Sequence, residues 1–209
     1  MRQLKIPAVF MRGGTSNAVV FNAKDLPRNR AEWDEIFLAA IGSPDPYGRQ
    51  LDGMGGGISS LSKVCVVGPS SREDADIDYT FAQVQVKEAK VDYSGNCGNM
   101  SSAVGPFAVD EGLVKAPGSE ALVRIHNTNT KSGGPHRPHD FQRATAPRAA
   151  GNAESEIRIA MPSGVLTVGA KVGKREGGWY AEQGAFFRTQ RRMFEGHVLV
   201  RASCVPRMA

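Results

Sequence analysis

Long apolar runs are missing from this chain. No stretch approaches the ~20 consecutive apolar residues that a membrane-spanning helix needs, and residues 1–7, Met-Arg-Gln-Leu-Lys-Ile-Pro, lack the apolar core of a secretion signal. The expectation is a cytoplasmic protein with no membrane partner. Cysteine is scarce, with three in 209 residues (Cys65, Cys97 and Cys204) in unrelated contexts. That makes a poor disulfide framework and suits a reducing compartment. No phosphate-binding Gly-x-x-x-x-Gly-Lys-Ser/Thr loop is present, and no glycine run fits the strand–GxGxxG–helix nucleotide pattern. Internal repeats and heptads are also lacking.

Charge of one sign is scarce by region. Residues 1–120 carry 12 Lys/Arg against 15 Asp/Glu, and residues 121–209 carry 14 against 6, within a total of +5. A basic half raises nucleic acid as a partner. The arginines are dispersed, however, without interleaved aromatics or a recognition motif, so no nucleic-acid partner is expected. The hydrophobic content of 41% and charged content of 22% are those of an ordinary globular chain.

What is there begins with strands. Residues 4–11 and 18–21 read as a hairpin around Arg12-Gly-Gly-Thr-Ser16. Asn29 and Glu32 resemble a capping box, and the helix after them puts Trp33, Ile36, Phe37, Ala40 and Ile41 on one face before stopping at Gly42. Val64–Val67 is a short apolar strand, and Ile77, Tyr79, Phe81, Val84 and Val86 mark strand faces. Ser101–Glu111 supports a helix that must begin near Pro106 or kink there, with Gly112 as its C-cap. Residues 122–125 read as a strand. Residues 131–153 have almost no large apolar residue and read as a loop or linker. Strands return at 156–161, 165–172 and from Trp179.

Two glycine-rich loops carry the chemistry. Asp52-Gly-Met-Gly-Gly-Gly-Ile-Ser-Ser-Leu-Ser-Lys63 ends on a lysine at the mouth of an apolar strand. Partial desolvation there would lower its pKa and make it a base near neutral pH. The alternative is a solvated loop lysine. Ser94-Gly-Asn-Cys-Gly-Asn-Met-Ser-Ser-Ala-Val-Gly-Pro106 centres on Cys97, just before a helix start. The helix dipole would favour a thiolate, and the N–H groups from Gly98 to Ser101 could hold a carboxylate. The alternative is a structural cysteine in a tight turn. Cys65, inside an apolar strand, reads as structural, and Cys204 as idle. Arg12–Ser16 is either a carboxylate cradle or only a turn. His136 and His139, in a proline-containing loop, make a weak metal site, and no metal is expected.

Together, Met11-Arg-Gly-Gly-Thr-Ser16, Asp52–Lys63, Gly95–Ala108 and Ile125-His-Asn-Thr-Asn-Thr130 resemble the methylaconitate isomerase family, which includes oxalomesaconate tautomerases and methylitaconate isomerases. Residues 157–166 and 188–200 are similar to the family's C-terminal end. Asn17 departs from the lysine common there, and Pro135-His-Arg looks like a remnant of a helical segment. The chain thus resembles a member with a large internal deletion.

The resemblance implies an α+β, diaminopimelate-epimerase-like fold: a β-barrel-type sheet around a central helix, with one domain largely complete and the second mostly missing. It divides the chain into an epimerase-like domain at 1–130, an irregular linker at 131–155, C-terminal strands packing on the first domain at 156–200, and a tail at 201–209. It also implies a cofactor-independent isomerase moving a proton by a 1,3-allylic shift on an unsaturated di- or tricarboxylate. Lys63 and Cys97 would be catalytic, with Thr15, Ser16, Asn96, Gly98, Asn99, Met100 and Ser101 binding substrate. No cofactor is implied. Loss of the second domain would impair activity, or leave an inactive remnant that folds or self-associates.

Overall fold

A computed structural model describes residues 2–116, 118, 121–129, 141–145, 156–161, 164–175 and 178–205. The chain forms two compact units, one of residues 1–147 and 189–209, the other of residues 148–188.

In the first unit, β1 (Gln3–Gly13) and β2 (Ser16–Asn22) form the expected hairpin, pairing from Val9↔Val20 to Gly13↔Ser16. Beyond Val9 the two strands part. Pro7 is the residue that would face Asn22, and it has no N–H to offer a ladder. β3 (Lys63–Pro69) runs parallel to β2, and β4 (Ile77–Val84) returns antiparallel to β3. β5 (Val91–Asp92) pairs with the end of β4. The sheet continues through β6 (Leu122–Asn127) to β7 (Phe141–Thr145), and on its other side β11 (Gln190–Arg201) pairs antiparallel with β1. The order is β11-β1-β2-β3-β4-β6-β7.

Among the described residues, each face of this sheet holds one helix. α1 (Trp33–Ile41) buries Trp33, Ile36, Phe37, Ala40 and Ile41 against Val19, Phe21, Val64, Val66, Ala82 and Val84. Asn29 caps the short 3-10 turn that leads into it, its side chain accepting from Ala31 N, and Gly42 closes it at φ 80°. α2 (Gly98–Asp110) packs on the opposite face against Met11, Ala18, Val20, Cys65, Tyr79 and Phe81. It touches β1, β2 and β3 and also the two outermost strands, β7 and β11. A sheet whose opposite edges reach one helix is curled around it. This is the α+β, barrel-type sheet with a central helix that the motifs implied.

Several expectations need correction. α2 starts at Gly98, earlier than Ser101, and continues through Pro106 as one helix. Its end follows the pattern closely: Leu113 N donates to Ala108 O and Gly112 N to Val109 O, with Gly112 at φ 70°, a Schellman closure. Within the span read as linker, Phe141–Thr145 is a strand, registered on β6 by backbone pairing that side-chain periodicity does not reveal. Residues 131–140 and 146–155, including His136 and His139, lie outside the described residues, as do the turn positions at 162–163 and 177.

β8 (Glu156–Met161), β9 (Gly164–Arg175) and β10 (Gly178–Phe186) make an antiparallel three-stranded sheet of their own in the second unit, and only β11 joins the first sheet. The first residues of the tail are docked: Ala202–Cys204 form a 3-10 turn and Val205 is fully buried in the α1-side core. Among the described residues no helix is long and apolar enough to cross a membrane.

Candidate active site

Lys63 opens β3, on the face that looks toward α2. By register it stands beside Ala18 of β2 and opposite Gln83 of β4. The residue is only 7% exposed. Its Nζ donates to the carbonyl of Ser59 at 2.8 Å and to Oε1 of Gln83 at 2.7 Å, and lies 5.4 Å from the centre of the Phe81 ring. Desolvation lowers its pKa below the usual lysine value; the Cys97 and Cys65 thiols, through their thiolate forms, oppose that shift. Lys63 is therefore a buried lysine at the strand's start and not a solvated loop side chain.

Cys97 is the N-cap residue of α2, in extended conformation and half-buried. Its Sγ lies 3.9 Å from Oγ of Ser16, which is buried two residues before Ala18 on the same face of β2. Lysine, serine and thiol are thus brought to one corner of the sheet, where α2 begins. Gly13 makes this approach close: a Cβ there would strike the carbonyl of Asn99, and only glycine lets the hairpin lie on the helix start. Thr15 is exposed, and its Oγ1 accepts from Nδ2 of Asn99 at 3.1 Å.

The remaining named residues sort by what they still offer. Gly98 is exposed at the first turn, and a Cβ there would meet nothing. Asn96 is exposed, with Oδ1 accepting from the Cys97 N–H at 2.7 Å. Met100 is fully buried, so its side chain belongs to the core and only its backbone faces the helix end. Ser101 is spent internally: its N–H and its hydroxyl both donate to the Cys97 carbonyl, at 2.9 and 3.0 Å. Cys65 is buried against Tyr79, its Sγ donating to Oη at 3.8 Å, and burial pushes its thiol up to about 12. Cys204 is exposed. Among the described residues no cluster of three or more His, Cys, Asp or Glu could hold a metal.

The first glycine loop also packs on α1. Met54 N and Gly55 N donate to the carbonyls of Ala40 and Ile41, so the loop caps the C-terminal end of α1. Gln50, 1% exposed and at φ 53°, ties that loop to the lysine. Its Oε1 accepts from Gly57 N at 2.8 Å and from Ser62 Oγ at 2.7 Å, and its Nε2 donates to Ser43 Oγ. Gln50, Ser59 and Gln83 were not foreseen. Gln83 had a signal: it stands where the Ile77, Tyr79, Phe81 alternation calls for another apolar residue.

The comparisons with known proteins decide the lineage. A family model described as PrpF protein matches residues 3–133. The chain belongs to the PrpF family. Over 128 residues it is 51% identical to a 3-methylitaconate isomerase of Eubacterium barkeri, a match covering 61% of this chain and 33% of that one. A 2-methyl-aconitate isomerase of Cupriavidus necator is 49% identical over 135 residues (61% and 34%), and a 4-oxalomesaconate tautomerase of Pseudomonas putida 52% over 130 (62% and 36%). The crystal structure of a methylitaconate-delta-isomerase superposes with a TM-score of 0.78 at 38% identity, spanning 98% of this chain and 100% of that one. This PrpF chain spans about a third of the length of the curated relatives it matches. Those relatives are named isomerases and tautomerases of unsaturated carboxylates, and the sequence resemblance to that family holds.

Proposed function

We propose that this PrpF chain carries the proton-transfer half of a cofactor-independent isomerase acting on an unsaturated di- or tricarboxylate. The observation that carries the reading is the desolvated Lys63 beside Cys97 at the start of α2. As the neutral amine, Lys63 takes a proton from the allylic carbon. The C–H electron pair moves into the adjacent π system, the double bond shifts, and negative charge develops on the carboxylate end. The N–H groups at the start of α2 and the positive end of its dipole stabilise that charge. Protonation at the far allylic carbon, by Lys63 ammonium or the Cys97 thiol, completes the 1,3-shift with no net change in protons. Ser16, Thr15 and Asn99 line the same corner and hold the substrate's carboxylates.

A second reading is favoured by one observation, the coverage of only 33–36% of the curated relatives. A site that relies on a second wall to exclude water and place substrate loses most of its rate without it. On that reading the chain is a folded, self-associating domain with little or no activity. The three free cysteines are consistent with a cytoplasmic home on either reading.

Proton NMR separates the two. Unsaturated tricarboxylates are incubated in deuterated buffer with the wild-type chain and with Lys63→Ala. The enzyme reading expects deuterium at the allylic carbon, lowered about 10²–10⁴-fold by the substitution, the range for loss of a general base. No uptake by a wild-type sample with native thermal unfolding establishes the remnant reading.

A further inference from the structure

Lys63 does not hang free in its corner. As an ammonium it has three N–H groups, and two are taken by the Ser59 carbonyl and Gln83 Oε1. As a neutral amine it has two N–H groups, and the same two acceptors suit them. In both states one vertex of the nitrogen is left over, carrying either the third proton or the lone pair, and it stays in one direction as long as both acceptors hold.

The Gln83 amide is itself locked. Its Nε2 donates to Ser59 O at 3.0 Å and Ser62 O at 2.9 Å. A flipped amide would set its NH2 against the ammonium and its oxygen against two carbonyls, so only one orientation is allowed. Ser62 is fully buried and in turn fixed, its hydroxyl donating to Oε1 of Gln50.

We propose that Gln83 is a positioning residue that holds the Lys63 amine with a single vertex aimed for proton transfer. The role rests on reading Lys63 as the proton-transfer group. It is more than structural, because a glutamine accepts from the ammonium without adding a charge. A glutamate at the same place would hold the lysine protonated, and an apolar residue would leave it free to swing. Among the described residues, the other titratable groups acting on Lys63 are Cys97 from the start of α2 and Cys65 from β3, with the Tyr79 hydroxyl of β4 bonded to Cys65.

The test reads Lys63 directly and needs no substrate. Acetylation of Lys63 by acetic anhydride is followed against pH by peptide mass spectrometry in the wild type, Gln83→Glu and Gln83→Met. Thermal unfolding certifies each fold, and either variant alone decides if the other does not fold. The Glu variant is expected to raise the labelling midpoint by about 1–3 pH units, the usual effect of an adjacent opposite charge. The Met variant is expected to lower it, because a partner of the charged form is gone. Coincident midpoints in folded proteins overturn the proposal. The outcome stands apart from the functional reading. Shifted midpoints without allylic exchange show that Gln83 holds the Lys63 amine but sink the proton transfer it would serve, and exchange with unshifted midpoints keeps the enzyme and removes Gln83 from it.

Discussion

At the scale of single residues, the two cysteines near Lys63 have opposite fates from their surroundings. Cys65 is enclosed by the α2-side core, where the thiolate has no solvation, and its thiol is held at about 12. Cys97 sits half-open at the helix start, and Cys204 is exposed. Iodoacetamide on the native protein at pH 8 is therefore expected to modify Cys97 and Cys204 and spare Cys65. The pH dependence follows from the same shift. Between the ordinary thiol value of 9.0 and about 12, the unfolded chain has released the Cys65 proton while the folded chain keeps it. The unfolded state then binds fewer protons, so Cys65 makes stability fall as pH rises through that window. Peptide mapping across pH 8–11 should find Cys65 modified only in step with loss of helical circular dichroism. Modification at pH 8 in a fully native sample would show that the thiol is not enclosed.

At the scale of elements, the loop between α1 and β3 is the joint on which the lysine depends. Gln50 holds a left-handed backbone that costs a non-glycine residue roughly 1 kcal/mol or more, and it stays there because its side chain serves three partners. Gln50→Ala leaves the Gly57 N–H without its acceptor and the buried Ser62 hydroxyl with the Ile58 carbonyl alone. The expected loss is about 1–3 kcal/mol, from one buried N–H left unsatisfied, measured by urea unfolding. A loss under about 0.5 kcal/mol would mean that the loop is held by its backbone alone. This joint also shows what the sequence made legible. α1 could be read because its five buried residues keep a 3.6-residue period and Gly42 ends it. The site corner could be read because Lys63 and Cys97 stand in loops of unusual composition. Gln50 could not, since one polar residue in a loop carries no periodic signal and its role comes from contacts with Gly57 and Ser62. β7 could not either: Phe141-Gln-Arg-Ala-Thr145 has no alternation, and pairing with β6 places it. Gly53 and Gly55 are needed where the loop presses on Ile41, Gly42 and Gln50, contacts that the run of glycines does not reveal.

At the scale of the whole molecule, the first sheet ends on β11, a 12-residue strand with one partner, β1, among the described residues. An outer strand of that length with one edge unpaired presents a row of backbone donors and acceptors to a second copy. Its side chains do little to discourage pairing. Met193, Phe194 and Leu199 are each about half exposed, as is Phe187 just before it. Arg191, Arg192, Glu195 and Arg201 supply charges, but Arg192 is already tied to Glu111 and Glu195 and Arg201 to Asp52. Two copies pairing β11 against β11 about a two-fold axis would satisfy both edges, the self-complementary arrangement of a closed dimer. Sedimentation velocity across a hundredfold range of concentration is expected to show mass rising with concentration for the wild type. Met193→Lys together with Phe194→Lys should return it toward the monomer by placing like charges across the two-fold. Both substituted residues are exposed, so native thermal unfolding is expected to survive the change, and association can be read apart from folding. A wild type that stays monomeric over the whole range would show that β11 is protected without a second copy.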